Sequence, residues 1–139
     1  MEIDGNVMST AAPAPRITVI NDSAEFLDLM RDLLSDAGYH VSTFKGAVTP
    51  IEDIAASHPD LLVIDLRLGG PERDGWSIAM LARSAASLET VPIIICSADL
   101  EQLRLRQDEM TVHADVHVLA KPFGLADAEE LIGRLLART

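Results

Sequence analysis

Apolar and polar positions along this chain fall into two alternating rhythms. Residues 17–20 form a short β-rich run. Phe26, Leu27, Met30, Leu33, Leu34 and Ala37 then recur at spacings of one, three and four, which lays one apolar stripe along a helix. Gly38 suits the end of that helix. Tyr39, Val41 and Thr43 alternate with His40, Ser42 and Phe44, the rhythm of a strand. Ile51, Ile54 and Ala55 mark a second helix, stopped near His58-Pro59 because the residue before a proline is driven out of the helical region. Residues 61–64 are an unbroken apolar run of strand length. A third helix is predicted from Gly75 to about Ala86, with Ile78, Leu81 and Ala82 facing inward. Residues 91–96 read as another buried strand and 99–112 as a helix, although Leu100, Leu103, Leu105 and Met110 make a poor stripe. Residues 116–120 are a fifth strand. Leu125, Ala128, Leu131, Ile132, Leu135 and Leu136 define a strong final helix.

The order is therefore βαβαβαβαβα. Strands separated by helices of this length imply right-handed parallel crossovers. Strands buried on both faces read as continuous apolar runs, as three of these do. The predicted fold is α/β, a five-stranded parallel doubly wound sheet of flavodoxin type with strand order 2-1-3-4-5. Ligands of such sheets sit beyond the carboxyl ends of the strands. Four polar residues stand at those ends: Asp22, Asp65, Ser97 and Lys121. Two carboxylates, a hydroxyl and an ammonium gathered at one sheet edge make a site for a divalent cation and a phosphoryl group.

Size and charge narrow the reading. The chain of 139 residues supports one domain with a real core. Residues 1–15, with their Ala-Pro repeats, read as a flexible leader, and 16–139 as the folded domain. No stretch approaches the roughly 18 uncharged apolar residues of a membrane span. The acidic N-terminus lacks the apolar core of a secretory signal. A net charge of −11 argues against direct binding to nucleic acid. The single cysteine, Cys96, cannot form an internal disulfide, which fits a reducing cytoplasm.

These residues resemble the receiver domain of two-component response regulators, of the single-domain chemotaxis type. The resemblance covers about residues 16–138. It rests on the Asn21-Asp22 corner, the run ending in Asp65, Asp74-Gly75-Trp76, Cys96-Ser97-Ala98 and Lys121-Pro122-Phe123. Each piece is weak alone, but all five in this order are specific. The resemblance implies that Asp65 is the phosphoacceptor. It implies that Asp22, Asp65 and the backbone carbonyl of Arg67 hold Mg²⁺, with Asn21 acting indirectly and weakly. Ser97 and the Ala98 N–H would bind phosphoryl oxygens, and Lys121 would pair with the phosphoryl charge. Pro122 would follow a cis peptide. A sensor histidine kinase or a histidine phosphotransfer protein would be the donor, and a downstream protein the target. No enzymatic activity beyond self-catalysed phosphotransfer and dephosphorylation is implied. With no output domain after the final helix, the chain is expected to act by binding, to shuttle phosphate, or to be one domain of a longer protein.

Three departures stand out. The family usually has two acidic residues where Asn21-Asp22 stands. The loop from Leu66 to Asp74 is longer than usual and carries Gly69-Gly70-Pro71. Val118 occupies a position where many receivers carry an aromatic switch. These features keep open a pseudo-receiver, a protein-interaction module that works without phosphorylation. A phosphatase with an aspartyl nucleophile ranks last, because Arg67 stands where its second acid belongs. Several residues also have plainer readings: Asp22 as a helix N-cap, Asp65 as a turn residue, Ser97 as a strand-end hydroxyl, and Trp76 as core packing. His113 and His117 straddle a predicted turn and are not expected to pair on a metal.

Overall fold

The computed structural model describes residues 14–46, 50–66, 75–97, 101, 104, 115–120 and 124–137. Strands β1 (Arg16–Asn21), β2 (His40–Lys45), β3 (Leu61–Asp65), β4 (Ile93–Ser97) and β5 (Val116–Ala120) form one sheet in the order β2-β1-β3-β4-β5. Every pairing is parallel. The helices described are α1 (Ala24–Asp36), α2 (Ile51–Ala56), α3 (Gly75–Ser84) and α4 (Leu125–Leu136). The predicted fold and strand order are those observed. The leader lies outside the described residues apart from Ala14 and Pro15. So does the helix expected over 99–112, apart from Glu101 and Arg104, which are helical and ion-paired at 2.8 Å.

Strand periodicity sorts the core into two halves, one on each face of the sheet. Ile17, Val19, Leu61, Val63, Ile94 and Cys96 pack with Leu27, Met30 and Leu34 of α1 and with Leu131, Ile132 and Leu135 of α4. Ile20, Leu62, Ile64, Ile93 and Ile95 pack with Ile54 of α2 and with Trp76, Ile78, Ala79 and Ala82 of α3. Each interior strand therefore buries both of its faces, which is why their sequences show no polar alternation. β5 is an edge strand and is only partly covered, with Val118 39% exposed.

Local chemistry sets the helix ends. Ser23 caps α1, its hydroxyl accepting the Phe26 N–H at 3.3 Å. The N-cap reading of Asp22 is thus corrected by one residue. α1 ends as expected at Gly38, whose φ of 97° is a left-handed conformation that a Cβ would strain. The Tyr39 N–H there returns to the Leu34 carbonyl at 3.0 Å. Below α2, the Thr18 and Ser57 hydroxyls meet at 2.7 Å, and Ser57 donates to the Ile54 carbonyl at 2.6 Å. That network makes a polar threonine acceptable inside β1.

The inward reading of Leu81 is overturned, since this residue is 55% exposed. Gly75, Ile78, Ala79 and Ala82 fill the buried arc of α3, and Leu81 lies on the other side of the helix. A close approach of the helix start to β3 turns small alanines toward the sheet. The next residue on that face, Arg83, was not singled out by its sequence position, yet it ties three segments together. Its guanidinium donates to the carbonyls of Leu88 (3.0 Å), Glu89 (3.1 Å), Val91 (2.5 Å) and Asp115 (3.3 Å). Burial lowers its pKa from the ordinary arginine value, and the Asp115 charge offsets part of that effect. Arg83→Ala is expected to lower stability by about 2 kcal/mol, because charge-assisted bonds to carbonyls are lost together. Urea unfolding is expected to show a lower midpoint at unchanged slope. Arg83→Lys would recover only part, since an ammonium cannot span the same acceptors.

Candidate phosphoryl-acceptor site

The carboxyl ends of β1, β3 and β4 meet at one edge of the sheet. β1 and β3 run in register through Ile20 and Ile64, so Asn21 and Asp65 are the next residues on adjacent strands. Asp65 pairs across to Cys96 on β4, and Ser97 follows it. Asp65 is 8% exposed, Asn21 3% and Ser97 2%, whereas Asp22 is exposed. A charged carboxylate this deep requires partners. One of them is Asn21, whose side-chain Nδ2 donates to Asp65 Oδ2 at 2.9 Å.

The orientation of that amide is fixed from its other end. The Ser23 backbone N–H donates to Asn21 Oδ1 at 2.8 Å. An N–H can only meet the oxygen, so the nitrogen must face Asp65. Asn21 therefore presents the site with a donor and keeps its oxygen turned toward the start of α1. The asparagine visible in the sequence as a departure thus contacts the candidate acceptor directly. Nothing in the sequence pattern announces that contact, because it depends on strand register.

Gly75 holds Asp65 from the other side. Its N–H donates to the Leu66 carbonyl at 2.8 Å, which brings the first turn of α3 against the end of β3. A Cβ added at Gly75 would lie 2.0 Å from the Asp65 carbonyl oxygen and 2.8 Å from Ile64 Cγ2. Glycine is the residue that permits this approach. Trp76, next along, is buried in the core, as read from the sequence. It stands one residue from the one that touches the backbone of Asp65.

The structure thus brings together Asn21, Asp65 and Ser97 at one edge, with Asp22 continuing from β1. Arg67, Ala98, Lys121, Pro122 and His113 lie outside the described residues. Lys121 is the residue after Ala120, which pairs with Ser97 across β4 and β5. Among the described residues, no three His, Cys, Asp or Glu side chains cluster as a ready-made metal site. Asp22 and Asp65, both oxygen donors at this edge, would suit a hard cation. They would not suit a soft or nitrogen-seeking metal.

A sequence model of the response regulator receiver domain matches residues 17–134. The chain belongs to the response regulator receiver family. The receiver is 33% identical over 122 residues to the response regulator MprA of Mycobacterium ulcerans, covering 88% of this chain and 49% of that protein. It is 30% identical over 123 residues to the DNA-binding dual master transcriptional regulator RpaA of Synechocystis, covering 88% of this chain and 48% of that one. The chain thus spans about half the length of these curated relatives. Among solved structures, chemotaxis protein CheY4 of Vibrio cholerae superimposes with a TM-score of 0.74 at 18% identity, covering 88% of this chain and 98% of that one. The response regulator TrrA of Thermotoga maritima, solved in complex with Mg²⁺-BeF, gives a TM-score of 0.71 at 22% identity, covering 87% and 98%. These likenesses show the same fold. No helix among the described residues is long and apolar enough to cross a membrane.

Proposed function

We propose that this receiver, taken as residues 16–139, accepts a phosphoryl group on Asp65 from a phosphohistidine of a partner protein. The observation that carries the reading is the placement of Asp65. It is a nearly buried carboxylate at the end of a central strand, pinned through its backbone neighbours by Gly75 and through its side chain by Asn21. A held carboxylate loses little freedom on reaching an in-line geometry. One Asp65 oxygen attacks phosphorus as the P–N bond to the donor imidazole breaks. The bonding pair returns to the imidazole nitrogen, and an acyl phosphate is left on Asp65.

Asp22, Asp65 and the Arg67 carbonyl would hold Mg²⁺, which when bound offsets negative charge on the transferring group. Ser97 would donate its hydroxyl to a phosphoryl oxygen, the Ala98 N–H would lie beside it, and Lys121 would place its ammonium against the phosphoryl charge. The donor would be a sensor histidine kinase or a histidine phosphotransfer protein in the cytoplasm. Output would pass to a protein partner that reads a phosphorylation-dependent surface. The net charge of −11 favours a protein target over direct contact with nucleic acid.

Incubation with a phosphohistidine donor or acetyl phosphate is expected to add one phosphoryl group that hydroxylamine removes, as it does acyl phosphates. Trp76 fluorescence is expected to change on adding Mg²⁺ followed by beryllofluoride. Silence in both assays at millimolar Mg²⁺ would move the assignment to a pseudo-receiver, a reading that the missing second acid at Asn21 specifically favours.

A further inference from the structure

Most of the polar contacts outside the acceptor edge serve the fold, but the contact between Asn21 and Asp65 bears on the site itself. Asn21 is buried and bonded at both ends: its oxygen accepts from the Ser23 N–H and its nitrogen donates to Asp65. Ser23 is also the cap of α1. The chain Ser23–Asn21–Asp65 therefore runs from the first turn of a helix to the candidate acceptor. A carboxylate at position 21 could not make this link. It would offer only acceptors, and it would set a second negative charge within hydrogen-bond distance of the first.

We propose that Asn21 is the positioning residue of Asp65, and that its amide performs in the metal-free protein the task of holding the buried carboxylate that a cation performs in the loaded one. This rests on the acceptor reading above. It follows from donor chemistry: a neutral N–H stabilises a carboxylate without adding charge, so the resting protein does not depend on metal for the integrity of this corner. The amide engages Asp65 Oδ2 and so restricts the rotation of the carboxylate. The same substitution removes a negative charge from the cation site, so stability without metal comes with weaker metal binding.

Thermal unfolding of the wild type, Asn21→Ala, Asn21→Asp and Asp65→Asn, each with and without millimolar Mg²⁺, tests this. The wild type is expected to gain little from Mg²⁺. Asn21→Asp is expected to unfold at a lower temperature than wild type without metal and to recover when Mg²⁺ is added. Its Mg²⁺ dissociation constant, read from Trp76 fluorescence, is expected to be about tenfold lower, as one added charge near a cation implies. Asn21→Ala is expected to lose stability without metal and to recover only in part. Equal losses for Asn21→Asp and Asn21→Ala, unchanged by Mg²⁺, would show a packing role and overturn the proposal. So would Mg²⁺ affinity in Asn21→Asp no tighter than wild type. If Asn21→Asp fails to fold, the wild-type side-chain amide signal of Asn21 in ¹⁵N NMR decides. It is expected to shift in Asp65→Ala, and an unmoved signal would overturn the contact. Metal-coupled stability that follows residue 21 in a protein that still refuses beryllofluoride would support the positioning role while removing the phosphoacceptor reading. The two can therefore fail separately.

Discussion

Gly75→Ala is expected to destabilise this receiver by about 3 kcal/mol or more and to abolish its response to beryllofluoride. The new methyl carbon would sit 2.0 Å from the carbonyl oxygen of Asp65, a backbone atom that cannot swing away as a side-chain tip can. Relief requires α3 to back off from β3. That motion breaks the bond from Gly75 to the Leu66 carbonyl and lifts Trp76 from the core it shares with Ile64 and Ile20. Overpacking a tight core position typically costs about 1–3 kcal/mol, and the lost backbone bond and indole packing add to it. Alanine is otherwise favoured over glycine in a helix by about 1 kcal/mol, which sets the only opposing effect. Chemical denaturation measures the loss. A variant of wild-type stability would mean that the helix start does not pin the acceptor strand.

Asp65→Asn is expected to separate function from stability in the opposite sense. The amide oxygen of the new side chain can still accept the Asn21 Nδ2–H, so the hydrogen bond at 2.9 Å persists in kind. The negative charge does not persist, and burying it was unfavourable at 8% exposure. Stability is therefore expected to hold or rise by up to about 1 kcal/mol. Phosphoryl incorporation is expected to fall to background, because an amide is neither a nucleophile for phosphorus nor an anionic ligand. Mass spectrometry after treatment with a phosphohistidine donor reads the first effect, and thermal unfolding reads the second. Retained incorporation would place the acceptor elsewhere. Marked destabilisation would mean that the charge itself holds this corner together.

Much of this architecture was legible in the chain. The unbroken apolar runs at β3 and β4 told of strands covered on both faces, and both are fully buried. The helical stripe of Leu27, Met30 and Leu34 named the face of α1 that packs. Asp65 and Ser97 could be placed because each is the polar residue that stops such a run. The same logic failed where helix rotation decides. Ile78, Leu81 and Ala82 looked like one face, but the glycine contact at the start of α3 sets its rotation, and Leu81 turns outward. It also failed for Asn21. Its amide was visible as a missing charge, and a missing charge suggests a weaker metal site. That it is also a donor aimed at Asp65 follows from the register of β1 on β3 and from the Ser23 N–H, neither of which is written in local sequence. Arg83 was invisible for a related reason, since its guanidinium gathers carbonyls from the turn that follows its helix together with that of Asp115, far along the chain.

The bond between the Gly75 N–H and the Leu66 carbonyl has a consequence for how such proteins diverge. It fastens both ends of the connection between β3 and α3. The entropy of closing a connection grows only with the logarithm of its length, by roughly 0.6 kcal/mol for each doubling. Residues can therefore be gained or lost between these two anchors at little thermodynamic expense, and the acceptor strand does not register the change. A partner could therefore meet a different surface at that spot while the end of β3 keeps its place in the sheet.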